Sequence, residues 1–91
     1  MAFFTARILS MDSVVVAENV PVWITCFHMK NAPRWDGSLT VPTTTGFMED
    51  TYRLQLDDGR QGTITQINVW ITEESLTVYF EGQGLLQRET L

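Results

Sequence analysis

The chain is poor in most of the residues that carry chemistry. One cysteine, Cys26, among 91 residues excludes an internal disulfide, and small secreted domains usually need several. With it stands one histidine, His28, too few ligands for a zinc site built from Cys and His alone. Basic residues are scarce as well: six Lys and Arg face eleven Asp and Glu, a formal charge of −5. That balance works against non-specific nucleic-acid binding, in which neutralised phosphates supply most of the affinity. No apolar run approaches the ~20 residues that a spanning helix needs. The start has no basic n-region, and Arg7 and Asp12 interrupt its apolar residues, so it does not read as a signal peptide. These absences point to a cytoplasmic protein with no membrane, metal or cofactor to serve.

What is present is material for a β fold. The composition, 44% hydrophobic and 19% charged, is that of a folded globular chain, and the length suits one small domain. Val, Ile, Thr, Phe, Tyr and Trp are abundant, and no stretch keeps a helical period. Short apolar runs separated by turn residues predict strands at Phe3–Leu9, Ser13–Ala17, Val20–Lys30, Ser38–Val41, Thr51–Leu56, Gly62–Ile71 and Ser75–Glu81. A single helical turn is expected around Phe47–Asp50. The pattern predicts an all-β fold, a small antiparallel barrel or roll of about six strands and of SH3-like or OB-like size.

Register carries more information than composition. Opposed residues of an antiparallel pair share a face. In Tyr52–Gln66 a two-residue Asp58-Gly59 turn would set apolar residues against polar ones. An odd loop centred on Gly59 opposes Leu54 with Ile64 instead, and burial of one face favours it. Around Glu73-Glu74, a four-residue loop Thr72–Ser75 opposes Ile71 with Leu76, Val69 with Val78 and Ile67 with Phe80. The strand 62–71 shared by the two hairpins then changes phase, and a bulge near Thr65-Gln66 is expected to absorb the change.

The same register turns Asn68, Trp70 and Tyr79 to the opposite face. Since Val20–Lys30 is apolar on both of its faces, the N-terminal strands are expected to cover these aromatics as a second core layer. Left bare, they are an interface of the kind Tyr and Trp favour. Elsewhere the chemistry is thin. Cys26 and His28 share a strand face with no orienting third group. The acidic pairs Glu49-Asp50, Asp57-Asp58 and Glu73-Glu74 all fall in predicted turns, where they read as solvated surface. Lys30, Arg34 and Trp35 form the one cluster of positive charge with an aromatic, and the favoured reading of Trp35 is an anchor tucked over the barrel end. Gly82 and Gly84 are expected to bend the chain after the last strand.

The expectation for function is a non-enzymatic module that binds a protein partner or itself. Trp70, Tyr79, Asn68, Arg34 and Trp35 are its candidate binding residues, and no residue is a candidate for catalysis. The alternative is an OB-like or SH3-like module that takes nucleic acid or another anion through Lys30, Arg34 and Trp35, with Arg53 and Arg60 in support.

Overall fold

The computed structural model describes residues 2–26, 35–47 and 49–88. Six antiparallel strands close into a barrel: β1 (Ala2–Leu9), β2 (Val15–Cys26), β3 (Trp35–Pro42), β4 (Thr51–Leu56), β5 (Arg60–Ile71) and β6 (Ser75–Arg88). Their order is β1-β2-β3-β6-β5-β4, and β4 closes the barrel on β1 through pairs such as Ile8 with Leu54. Among the described residues there is no helix, and the turn expected at Phe47–Asp50 falls partly on Met48, which lies outside them. No described helix is long and apolar enough to cross a membrane.

The interior follows from alternation. Val20, Val22 and Ile24 of β2 point inward, as do Leu39 and Val41 of β3, Tyr52, Leu54 and Leu56 of β4, and Val78 and Phe80 of β6, all buried. No polar or charged residue is buried with them among those described. Tyr52 is accommodated because its hydroxyl, at the barrel end, accepts the Glu49 N–H at 2.8 Å while its ring packs on Phe47.

Several boundaries differ from the sequence reading. The two runs Ser13–Ala17 and Val20–Lys30 are one strand, β2, carried through Glu18-Asn19 by a bulge opposite β1. Asn19 sits there at φ 55°, a conformation that Asn tolerates better than most residues. The part of the expected strand beyond Cys26 lies outside the described residues. At the other end of the chain, β6 does not stop at Glu81 but runs to Arg88.

The first hairpin has the odd loop that its apolar pattern demands, one residue earlier than expected. Tyr52 opposes Ile64, and Leu54 opposes Gly62, so the loop is Asp57-Asp58-Gly59. The Gly59 N–H donates to the Leu56 carbonyl at 3.1 Å, and Gly59 takes φ 94°, as in a three-residue hairpin that ends in a left-handed residue. Asp58 pins the turn: Oδ1 accepts the Arg60 N–H at 3.0 Å, and Oδ2 meets Arg60 Nε at 2.8 Å. The second hairpin keeps the expected pairs, Ile71 with Leu76 and Val69 with Val78. Its bulge falls between Gln66 and Asn68, so Phe80 opposes Gln66 and Ile67 is the extra residue. Ile67 is therefore 62% exposed instead of inward, and Ile71, beyond the core at the hairpin tip, is 74% exposed.

Candidate functional site

The barrel wall carries a band of exposed aromatics on its outer face, interrupted at Ser38. Pairing sets Phe3 of β1 beside Trp23 of β2, Trp23 beside Ser38 of β3, Ser38 beside Tyr79 of β6, and Tyr79 beside Asn68 of β5. These five residues form one lateral row across five strands. One row further along, Thr40, Thr77 and Trp70 are aligned in the same way. The rings of Phe3 and Trp23 touch, with centroids 4.8 Å apart.

All four aromatics are open to solvent: Phe3 is 52% exposed, Trp23 47%, Tyr79 44% and Trp70 64%. The expected cover by N-terminal strands is thus corrected. Those strands are neighbours within the same wall and cannot lie over it. The two-sided apolar character of β2 has a different cause, because its inner residues fill the barrel while Trp23 extends the outer band. Phe3 and Trp23 are the members that sequence reasoning missed. Their signal was alternation: each lies out of phase with the inward residues Ala6, Ile8, Val22 and Ile24.

Among the described residues, charge around the band is one-sided. The row next to it contains Thr25, Asp36, Glu81 and Thr65, which sets two carboxylates beside the aromatics. On the other flank, Thr40, Thr77 and Trp70 carry no charge. A facing surface of apolar groups with Lys or Arg at its margin would complement this face, since a cation gains from both the carboxylates and the aromatic rings.

The other candidates are dispersed. Trp35 is 1% exposed, so it offers no face for stacking and is corrected to a core residue. Its indole lies edge-on to Phe80 with centroids 6.0 Å apart, and Nε1–H donates to the Gly84 carbonyl at 2.9 Å. It fits because its neighbours are glycines. A Cβ on Gly82 would overlap the indole, and one on Gly62 would come within 2.6 Å of it. Lys30, Arg34 and His28 lie outside the described residues. Arg53 and Arg60 do not join the band: Arg53 opposes Thr63 on the β4–β5 side, and Arg60 is held by Asp58 and lies 5.1 Å from the centre of the Phe4 ring.

A second feature is an open groove of about 530 Å³ lined by Thr5, Arg7, Glu18, Asn19, Gln55 and Gln61 among others. Its polar groups are engaged with one another. Arg7 Nε donates to Gln55 Oε1 at 3.1 Å, Gln55 Nε2 donates to Gln61 Oε1 at 3.1 Å, and Arg7 lies 3.8 Å from Glu18. Among the described residues no group of three or more His, Cys, Asp or Glu is placed to hold a metal ion. No family model, curated protein or solved structure matches the chain.

Proposed function

We propose that the protein is a non-enzymatic interaction module whose outer aromatic band docks a protein surface. The observation that carries this reading is the row Phe3–Trp23–Ser38–Tyr79–Asn68 with Trp70 beside it, large aromatics left exposed on a rigid closed wall. Contiguous exposed apolar patches mark interaction sites, and buried Trp and Tyr anchors supply much of the energy of protein interfaces. Asp36 and Glu81 beside the band favour a partner with basic residues at its margin. They disfavour a polyanion, as does the net charge of −5. On the same reading the module works in the cytoplasm, with a lone cysteine that needs no oxidising compartment.

The test compares the wild type with a Trp23→Ser, Tyr79→Ser double variant. Proteins that copurify with the wild type at stoichiometric yield are expected to be lost from the variant, while its circular dichroism and melting stay those of a folded barrel. Titration of the wild type with a fluorescent single-stranded oligonucleotide should give no binding. Tight binding that weakens steeply with salt would transfer the band to nucleic acid and overturn the protein reading.

A further inference from the structure

Closure of the barrel is staggered, and among the described residues the outer end of β5 is one of the strand edges that it leaves unpaired. β4 pairs with β5 from Gln61 to Thr65, and the Asp50 carbonyl accepts one more bond, from the Gln66 N–H at 2.9 Å. Beyond that point and the bulge residue Ile67, among the described residues, Asn68 to Ile71 pairs with β6 alone. The hairpin itself fixes where the backbone groups point. The Thr72 N–H donates to the Ser75 carbonyl at 2.9 Å, which makes that pair hydrogen-bonded. Alternation then makes Trp70–Thr77 and Asn68–Tyr79 the next such pairs. It also turns the N–H and C=O groups of Val69 and Ile71 away from β6, toward the open side. The Asn68 side chain agrees with this: its Oδ1 accepts the Val69 N–H at 2.9 Å, a local substitute for a missing strand.

Proteins usually blunt such an edge with lysine, proline or an inward charge. Here residues 61–72 contain no charged residue and no proline. Trp70 is 64% and Ile71 74% exposed at this edge, while Val69 packs partly on the core. Among the described residues, of the outward groups only the Val69 N–H has a partner, the Asn68 side chain, which a second strand can replace, and the segment is complementary to itself.

We propose that Val69–Ile71 is a strand-addition site whose occupant is the same segment of a second copy of this chain, antiparallel across a two-fold axis at Trp70. This extends the protein-binding reading to self-association, but it rests on the β5 edge and not on the band as a whole, so the two can fail separately. The register follows from the outward groups. A two-fold at Trp70 pairs Val69 with the partner's Ile71 and Ile71 with the partner's Val69. All four outward N–H and C=O pairs are then bonded across the axis. A two-fold at Val69 would instead aim the groups of Ile71 at the bulge residue Ile67 of the other copy, outside regular pairing.

Side chains match in the Trp70 register. Trp70 meets the partner's Trp70 on the outer face, Asn68 meets the partner's Thr72, and Val69 meets the partner's Ile71 on the inner face. Aromatic pairs and apolar pairs of this kind are the stabilising contacts of antiparallel strands. With no charge between Arg60 and Glu73, the axis is free of repulsion even though the whole chain is acidic.

Sedimentation velocity of the full chain, from micromolar to near-millimolar concentration, is expected to show a reversible monomer–dimer equilibrium. Ile71→Pro removes an N–H that faces the open side, so the hairpin ladder is kept. Ile71→Lys puts a charge on an already exposed position. Each should weaken the dimer by about tenfold or more and leave the melting curve of the barrel nearly unchanged. In a Cys26→Ser background, Trp70→Cys should form a disulfide-linked dimer on mild oxidation, because the two Cα atoms at the axis fall within disulfide reach. Thr77→Cys, one strand further in on the same face, should not. A monomer at every concentration would overturn the proposal. So would a dimer indifferent to both Ile71 variants, or cross-linking no faster from Trp70→Cys than from Thr77→Cys.

Discussion

Gly82 is where the barrel is least able to accept a methyl group. A Cβ built there overlaps Cε2, Cδ2 and Nε1 of Trp35, and Trp35 is closed in on its other sides by Phe80 and by the strand carrying Gly62. In Gly82→Ala either the indole leaves or β6 is pushed off it. Loss of the indole resembles a Trp→Ala change in a core, about 3–5 kcal/mol. The bond from Nε1–H to the Gly84 carbonyl adds about 0.5–1.5 kcal/mol if it breaks. Partial relaxation lowers the sum, so about 3 kcal/mol is expected, a large share of the roughly 5–15 kcal/mol available to a small domain. Urea denaturation followed by far-ultraviolet circular dichroism should show the midpoint falling by roughly 1–3 M. Gly84→Ala is the control. Nothing lies within 4 Å of its added methyl, but φ is 76°, so it should cost only the conformational strain of about 1–2 kcal/mol. In a Trp35→Ala background the clash has no object, and Gly82→Ala should cost less than about 1 kcal/mol, a strong non-additivity. A cost below about 1 kcal/mol for Gly82→Ala in the wild type, or full additivity with Trp35→Ala, would refute the packing described for Trp35.

Other consequences are simpler to state. Asp58→Ala removes both acceptors that hold Arg60 and should destabilise by about 1 kcal/mol by thermal melting, because the group is partly exposed. Deleting Ile67 removes the extra residue and leaves Gln66 opposite Phe80 and Asn68 opposite Tyr79 in one unbroken ladder, so no side chain changes face and the cost should be about 1 kcal/mol, from the changed local twist; Ile67→Ala, at an exposed position, should stay within about 0.5 kcal/mol. Trp23→Ser should likewise change stability by under about 1 kcal/mol, because Trp23 lies outside the core and its ring contact is with the exposed Phe3.

Much of this architecture was legible because a half-buried strand alternates. Ile64 and Val78 mark the core face of their strands, and the pairing of Ile71 with Leu76 and Val69 with Val78 could be read from apolar matching alone. Parity of the first hairpin was readable for the same reason. Its position was not, because Leu54 opposite Gly62 looks like an unfilled pair until Trp35, distant in sequence, is known to occupy the space. The bulge was required by the phase change, yet its residue could not be fixed, because Ile67 is as apolar as the residues that stay inside. Glu18-Asn19 and the glycines Gly82 and Gly84 look like strand ends, yet both strands continue, through a bulge at Glu18-Asn19 and through an irregularity that begins at Gly84. Local turn residues signal a break in the ladder without saying whether pairing resumes. The face of Trp70 and Tyr79 was legible, whereas its exposure depended on closure of the barrel, a property of all six strands together.

The central claim is that protein docks on the outer aromatic band. A photo-reactive benzoylphenylalanine placed singly at Trp23, at Tyr79 or at Thr63 on the β4–β5 side tests it most directly, with adducts identified by mass spectrometry after irradiation in cells. Discrete protein adducts are expected from the first two positions and none from the third. Equal labelling from all three positions, or none from Trp23 and Tyr79, would contradict it.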